Sequence, residues 1–229
     1  MSKRPESLSD IVVVIAGASS GFGRGAAQKL AAEGARVVIA ARRKSMLDDL
    51  VTEIETAGGT AVAVETDVSE PVDIARLVQE ALTRFGRIDV WVNNVGVGAI
   101  GYFWDIPIED HARLVDVNLK GLIFGAHAAN YTGHAPRMAM MDDPQIVIDA
   151  IVKACIDPAE EQPVGWKAKG SDIMHHVFPD LTERMSADLA KAESGRAMSA
   201  PNTTGALHQP MSDGRKIDGG YPRADASGR

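Results

Sequence analysis

The sequence predicts an α/β fold built on a doubly wound parallel sheet. Three observations lead there. An uninterrupted apolar run at residues 11–16 has the length and β-branched character of a strand buried on both faces. A glycine-rich turn and a helical pattern follow it directly. Strand and helix patterns then alternate through the first 125 residues, and that order implies parallel strands joined by right-handed crossovers.

Each element has its own warrant. Residues 24–33 are a predicted helix that Gly34 closes, and residues 35–41 are a second strand. Met46, Leu47, Leu50, Val51 and Ile54 fall on one side of an amphipathic helix at 45–57, which Gly58 and Gly59 stop. Residues 60–66 form a third strand. Ser69 is the expected cap of a helix that has Pro71 in its first turn and runs to about Phe85. A fourth strand is expected at 88–93 and a long helical stretch at 108–129. Beyond Asn130 the character changes. Residues 131–143, rich in Gly, Pro and Met, read as a loop. Residues 144–156 form a helix with Ile148, Ile151, Val152 and Cys155 on one face. A short strand at 163–168 and a helix at 171–191, interrupted near Pro179, are expected next. From residue 194 onward Gly, Pro, Ser and charge predict a poorly ordered tail.

Composition narrows the function classes. With 45% hydrophobic and 24% charged residues in 229, the chain reads as an ordinary globular protein. Its net charge of −7 disfavours a nucleic-acid or anionic-membrane partner, either of which selects a basic surface. One cysteine, Cys155, allows no internal disulfide and suits a reducing, cytoplasmic setting. No apolar run approaches the length of a bilayer span, and residues 1–10 lack the apolar centre of a secretory signal.

The first candidate site is the turn Gly17-Ala18-Ser19-Ser20-Gly21-Phe22-Gly23. Its glycines permit a tight turn and close approach of a pyrophosphate, and the following helix offers free N–H groups and a positive dipole end. This Gly-x-x-x-Gly-x-Gly spacing resembles the short-chain dehydrogenase/reductase family, with Ala16 where the family usually has Thr. Asp67 and Val68, in Thr66-Asp67-Val68, match the family's adenine contact. Asn93-Asn94-Val95-Gly96 matches its Asn-Asn-Ala-Gly motif. Asn118 matches the asparagine that supports a proton relay on the next helix. The resemblance covers roughly residues 11–129 and implies a Rossmann-like, doubly wound sheet, incomplete here, that binds a nicotinamide dinucleotide. Structural readings stand beside these: Asp67 opening a turn, Asn93 and Asn94 tying strands together, Asn118 bonding to backbone.

An acidic residue ending the second strand would bind the adenosine ribose and repel a 2′-phosphate. This chain has Ala41 there, then Arg42 and Arg43, whose guanidinium forks suit a phosphate. NADP(H) is therefore favoured over NAD(H). The plainer alternative is that both arginines open a solvated helix.

The catalytic half of the resemblance is missing. The family implies a tyrosine acid/base, a lysine four residues later and a serine before them. The three tyrosines, Tyr102, Tyr131 and Tyr221, have Ile106, Ala135 and Asp225 at that spacing, and no serine falls between Glu70 and Gly170. Asn118 is left as a supporting residue only. Residues 127–133 nevertheless resemble the family's substrate-side loop, residues 144–158 the helix after it, and residues 165–168 and 181–184 the C-terminal portion of an extended bacterial subgroup. An internal block is thus expected to be absent, with its junction near residues 125–130.

The expected organisation is a dinucleotide-binding half at 1–130, residual substrate-side elements at 131–193 and a tail at 194–229. The helix that carries the family's tyrosine also makes its usual dimer, so no oligomer is carried over. His127, Tyr131 and His134 share a face only if helix continues past Gly133, which the loop composition opposes, so no metal site is assigned. The adjacent His175 and His176 read as surface residues, and Met138, Met140 and Met141 as apolar filling. Three functions stay open: hydride transfer between NADP(H) and an alcohol or carbonyl, NADP(H) binding without catalysis, and an inactive deletion product.

Overall fold

The computed structural model describes residues 8–128, 144–156 and 207–209. Four strands form one sheet: β1 (Val12–Ala16), β2 (Arg36–Ala41), β3 (Thr60–Glu65) and β4 (Val90–Asn93). All pairings are parallel, in the order β3-β2-β1-β4. The helices are α1 (Gly21–Ala32), α2 (Lys44–Thr56), α3 (Pro71–Phe85), α4 (Ile108–Val115), α5 (Gly121–Ala128) and α6 (Pro144–Ile156). Between α4 and α5 the chain makes a π turn, Asp116–Lys120.

Alternation along β1 and β2 divides the core in two. Val13, Ile15, Val37 and Ile39 face Ala26, Ala27 and Leu30 of α1, Leu47 and Leu50 of α2, and Val152 and Cys155 of α6. Val12, Val14, Val38 and Ala40 face Ile74, Leu77 and Val78 of α3 and, beyond them, Val117 and Ala128. Helices thus cover both faces, as doubly wound topology requires. Leu30, Leu47, Leu50 and Leu77 are fully buried, each contributing about 1.5–3 kcal/mol of burial.

The strands follow expectation to within two residues, and three local features differ or add. Helix α1 begins at Gly21, inside the glycine turn, rather than at residue 24. Glycine has poor helix propensity, so sequence patterning hides a first turn made largely of it. Ser69 does not cap α3. The cap position is Glu70, and the Ser69 N–H and hydroxyl both donate to Asp67 Oδ1 instead, at 3.0 and 2.6 Å. The third is the packing of α6 against α1, with Lys29 Nζ 3.4 Å from Asp149 Oδ1. Periodicity had marked the apolar face of α6 but not its partner. The expected loop at 131–143, strand at 163–168 and helix at 171–191 lie outside the described residues, as does the tail apart from 207–209.

Cys155, on the α6 face that meets α1, is buried, and burial pushes its thiol up to about 12 from 9.0. The native thiol therefore stays protonated where an unfolded one ionises. Native stability should fall as pH rises from about 9 toward 12, because only the unfolded chain releases that proton in this window. A thiol-specific disulfide reagent at pH 8 is expected to leave the native chain unmodified and to label one thiol after denaturation. Prompt native labelling would contradict the placement of α6.

Candidate functional site

The carboxyl end of β1 leads into the glycine turn. The N–H groups of Gly17 and Ala18 both donate to the Ala40 carbonyl of β2, at 2.8 and 3.1 Å. Gly17 has φ 88°, and a Cβ there would lie 2.7 Å from the Asn94 carbonyl carbon. A Cβ on Gly23 would lie 2.6 Å from Asn94 Nδ2 and 2.9 Å from the Gly17 carbonyl carbon. Only hydrogen at both positions lets α1, the turn and the segment after β4 close on one another.

Ser20 stands at the N-cap of α1 in extended backbone and makes no side-chain cap bond. Its hydroxyl accepts from Arg43 Nη2 at 2.7 Å. The Ser19 hydroxyl accepts from Arg43 Nε and Nη2 at 3.2 and 2.9 Å. The first amides of α1 thus carry no serine hydroxyl, and a guanidinium lies across the turn. Phe22, between Gly21 and Gly23, is half-buried. A helix N-terminus with a cation beside it is an anion receptor.

A second cluster lies where β2 and β3 end. Asp67 Oδ1 takes both Ser69 donors. Asp67 Oδ2 accepts from Arg113 Nη2 at 2.6 Å, and Arg113 Nη1 donates to Ser69 Oγ at 2.7 Å. Burial raises the Asp67 carboxyl, but the Ser69 bonds and Arg113 outweigh it and leave it below the usual range. Arg42 reaches the same region, donating through Nη1 to the Leu207 carbonyl at 3.1 Å, which also accepts from Arg113 Nε at 3.2 Å. Burial chiefly, and the Arg113 charge, draw the Arg42 guanidinium below its usual range, with Asp67 opposing. Burial, then Arg42, do the same to Arg43. In this second cluster two guanidinium groups, Arg42 and Arg113, stand beside one carboxylate, Asp67, an excess of positive charge that favours a bound anion.

The asparagines hold the floor. Asn94 N–H donates to the Ala16 carbonyl at 3.0 Å, and Asn94 Nδ2 to the Gly17 carbonyl at 3.1 Å. Asn93 Oδ1 accepts from Trp91 Nε1 at 3.0 Å and faces Gly125, where a Cβ would collide with it. Asn118, in the π turn, uses both ends of its amide on Val97: Oδ1 accepts from the N–H at 2.9 Å and Nδ2 donates to the carbonyl at 2.7 Å. Val95 and Val68 pack in the α3 side of the core, and Gly96 is exposed with Asn118 Oδ1 nearby.

The structure brings together Gly17–Gly23, Arg43 and Asn94, and separately Arg42 with Asp67. It sets Asn93 beneath α5 and commits the Asn118 side chain to backbone. Sequence reasoning missed Arg113, Ser69 as a partner of Asp67, and Leu207. Among the described residues no group of three or more His, Cys, Asp or Glu side chains is placed for a metal; Tyr131 and His134 lie outside them. No described helix is long and apolar enough to cross a membrane.

Residues 11–136 match the family model for short chain dehydrogenases. The chain belongs to that family. An uncharacterised oxidoreductase, YxnA of Bacillus subtilis, is 40% identical over 137 residues, 59% of this chain and 38% of that protein. A 3-ketoacyl-(acyl-carrier-protein) reductase from Brucella melitensis, solved with NADH, superposes with a TM-score of 0.53 at 33% identity, covering 58% of this chain and 57% of that one. An alcohol dehydrogenase from Thermococcus sibiricus, solved with 5-hydroxy-NADP, gives 0.53 at 28% identity over 56% of this chain and 57% of its own. This short chain dehydrogenase spans less than half the length of the curated relatives it matches.

Proposed function

We propose that this short chain dehydrogenase binds NADP(H) across the carboxyl ends of β1 and β2, and that its own residues do not complete hydride transfer. The observation that carries the reading is the α1 N-terminus, uncapped by Ser20 and bridged by Arg43. The amides of Gly21, Phe22 and Gly23 would hold the diphosphate, with Ser19 and Ser20 beside it. Arg43 and Arg42 would hold the 2′-phosphate, and Asp67 and Val68 would border the adenine. The segment from Asn93 to Gly96 would border the nicotinamide, which supplies the hydride when bound. The donor set fits the group: backbone amides and guanidinium forks match phosphate oxygens. That neighbouring folds were solved with NADH and with an NADP derivative supports dinucleotide binding.

The family's reaction, between NADP(H) and an alcohol or carbonyl, needs the Ser, Tyr and Lys that this sequence lacks. Asn118 would be a positioning residue only, since its amide is spent on Val97. An internal block missing near residues 125–130 accounts for that loss, and re-sequencing the gene there checks it.

Titration of the chain with NADPH and NADH tests the cofactor. NADPH is expected to bind more tightly by roughly tenfold or more, and Arg43→Ala to remove ten- to a hundredfold of NADPH affinity with little effect on NADH. Equal affinities insensitive to Arg43→Ala would end the NADP(H) preference. A folded chain indifferent to both nucleotides at millimolar concentration would end the reading itself.

A further inference from the structure

The segment 207–209 comes from a stretch with no apolar periodicity, yet Leu207 is buried. Its carbonyl takes hydrogen bonds from Arg42 Nη1 and Arg113 Nε at 3.1 and 3.2 Å. The His208 carbonyl lies 3.5 Å from the same Arg42 nitrogen, and His208 Nε2 is 2.6 Å from Asp110 Oδ1 on α4. The chain thus returns across 165 residues to the group that follows β2. We propose that residues 207–209 occupy the adenosine end of the dinucleotide site and compete with nucleotide for it. This rests on the binding reading above.

The chemistry of the contacts supports competition. Two backbone carbonyl oxygens sit on Arg42 Nη1, where a phosphate oxygen would accept from the same nitrogen. Arg113 divides its donors between Leu207 and the Asp67–Ser69 pair, so the segment touches both the ribose-phosphate side and the adenine side. Among the described residues its anchors are one buried leucine, neutral carbonyl acceptors and an exposed His–Asp contact, none of them a charge pair with a guanidinium such as a phosphate would make. Because it covers Arg42 as well as the Arg113–Asp67 side, it lowers the apparent affinity for both nucleotides by the fraction of chains in which the site is open, and most for NADPH, whose extra phosphate needs the same Arg42 donors.

The test compares the full chain with Leu207→Ser, which removes the buried anchor, by titration with NADPH and with NADH. Both dissociation constants are expected to fall, that of NADPH on the order of tenfold and that of NADH by no more. His208→Ala is expected to give a smaller gain of the same kind. A synthetic peptide of residues 203–213, added to the Leu207→Ser chain, is expected to weaken NADPH binding in proportion to its concentration. Nucleotide binding that Leu207→Ser leaves unchanged, weakens, or improves for NADH alone overturns the competition and leaves the binding reading standing. Binding of neither nucleotide by either chain removes the binding reading, and the competition with it.

Discussion

Gly23→Ala is expected to abolish nucleotide binding and to lower the melting temperature by roughly 6–12 °C, the equivalent of about 3 kcal/mol for a chain of this size. The added methyl would stand 2.6 Å from Asn94 Nδ2 and 2.9 Å from the Gly17 carbonyl carbon. One of those neighbours is backbone and the other is itself bonded to the Gly17 carbonyl, so neither yields cheaply. Relief comes only by pushing α1 away from the turn, which spoils the alignment of its first amides. Thermal melting and an NADPH titration check the two effects together. A variant that melts with the parent and binds NADPH equally would show that the turn is looser than described.

Oxidation of NADPH by a panel of aldehydes and ketones is expected to stay at the rate of the protein-free blank. A positioned general acid contributes about 10²–10⁴ in rate, and the family's Ser, Tyr and Lys act as one unit. None of the three tyrosines has its lysine, and the Asn118 amide has both ends on Val97. The measurement is loss of NADPH absorbance at saturating nucleotide, with an intact family reductase as positive control. Turnover that co-purifies with this chain would refute the non-catalytic reading. Its disappearance in Tyr131→Phe would then name a substitute acid.

What could be read from the sequence, and what could not, divides along a physical line. The strands were legible because each is a short apolar run bounded by glycine or polar residues. The apolar face of α6 was legible because Ile148, Val152 and Cys155 recur at helical spacing. The glycine turn was legible because its residues are consecutive. Features that depend on two distant segments meeting were not. Nothing local to Arg113 announces Asp67, 46 residues earlier, and nothing near Leu207 announces Arg42. Ser69 looked like a helix cap because serine before a proline-led helix usually is one; the neighbouring Asp67 carboxylate took its donors instead. The asparagines are recognisable by motif, and the plainer readings, Asn94 tying strands together and Asn118 bonding to backbone, anticipate their bonds but not the partners, Gly17 and Val97.

The order β3-β2-β1-β4 gives β1 a hydrogen-bonded neighbour on each side, and β4 closes the described sheet. Whatever is gained or lost beyond β4 changes the surroundings of β4 and leaves both ladders of β1 untouched. Within the described sheet the glycine turn therefore sits on a strand paired on both sides. A strand held by ladders on both sides keeps its end in place without help from anything beyond β4.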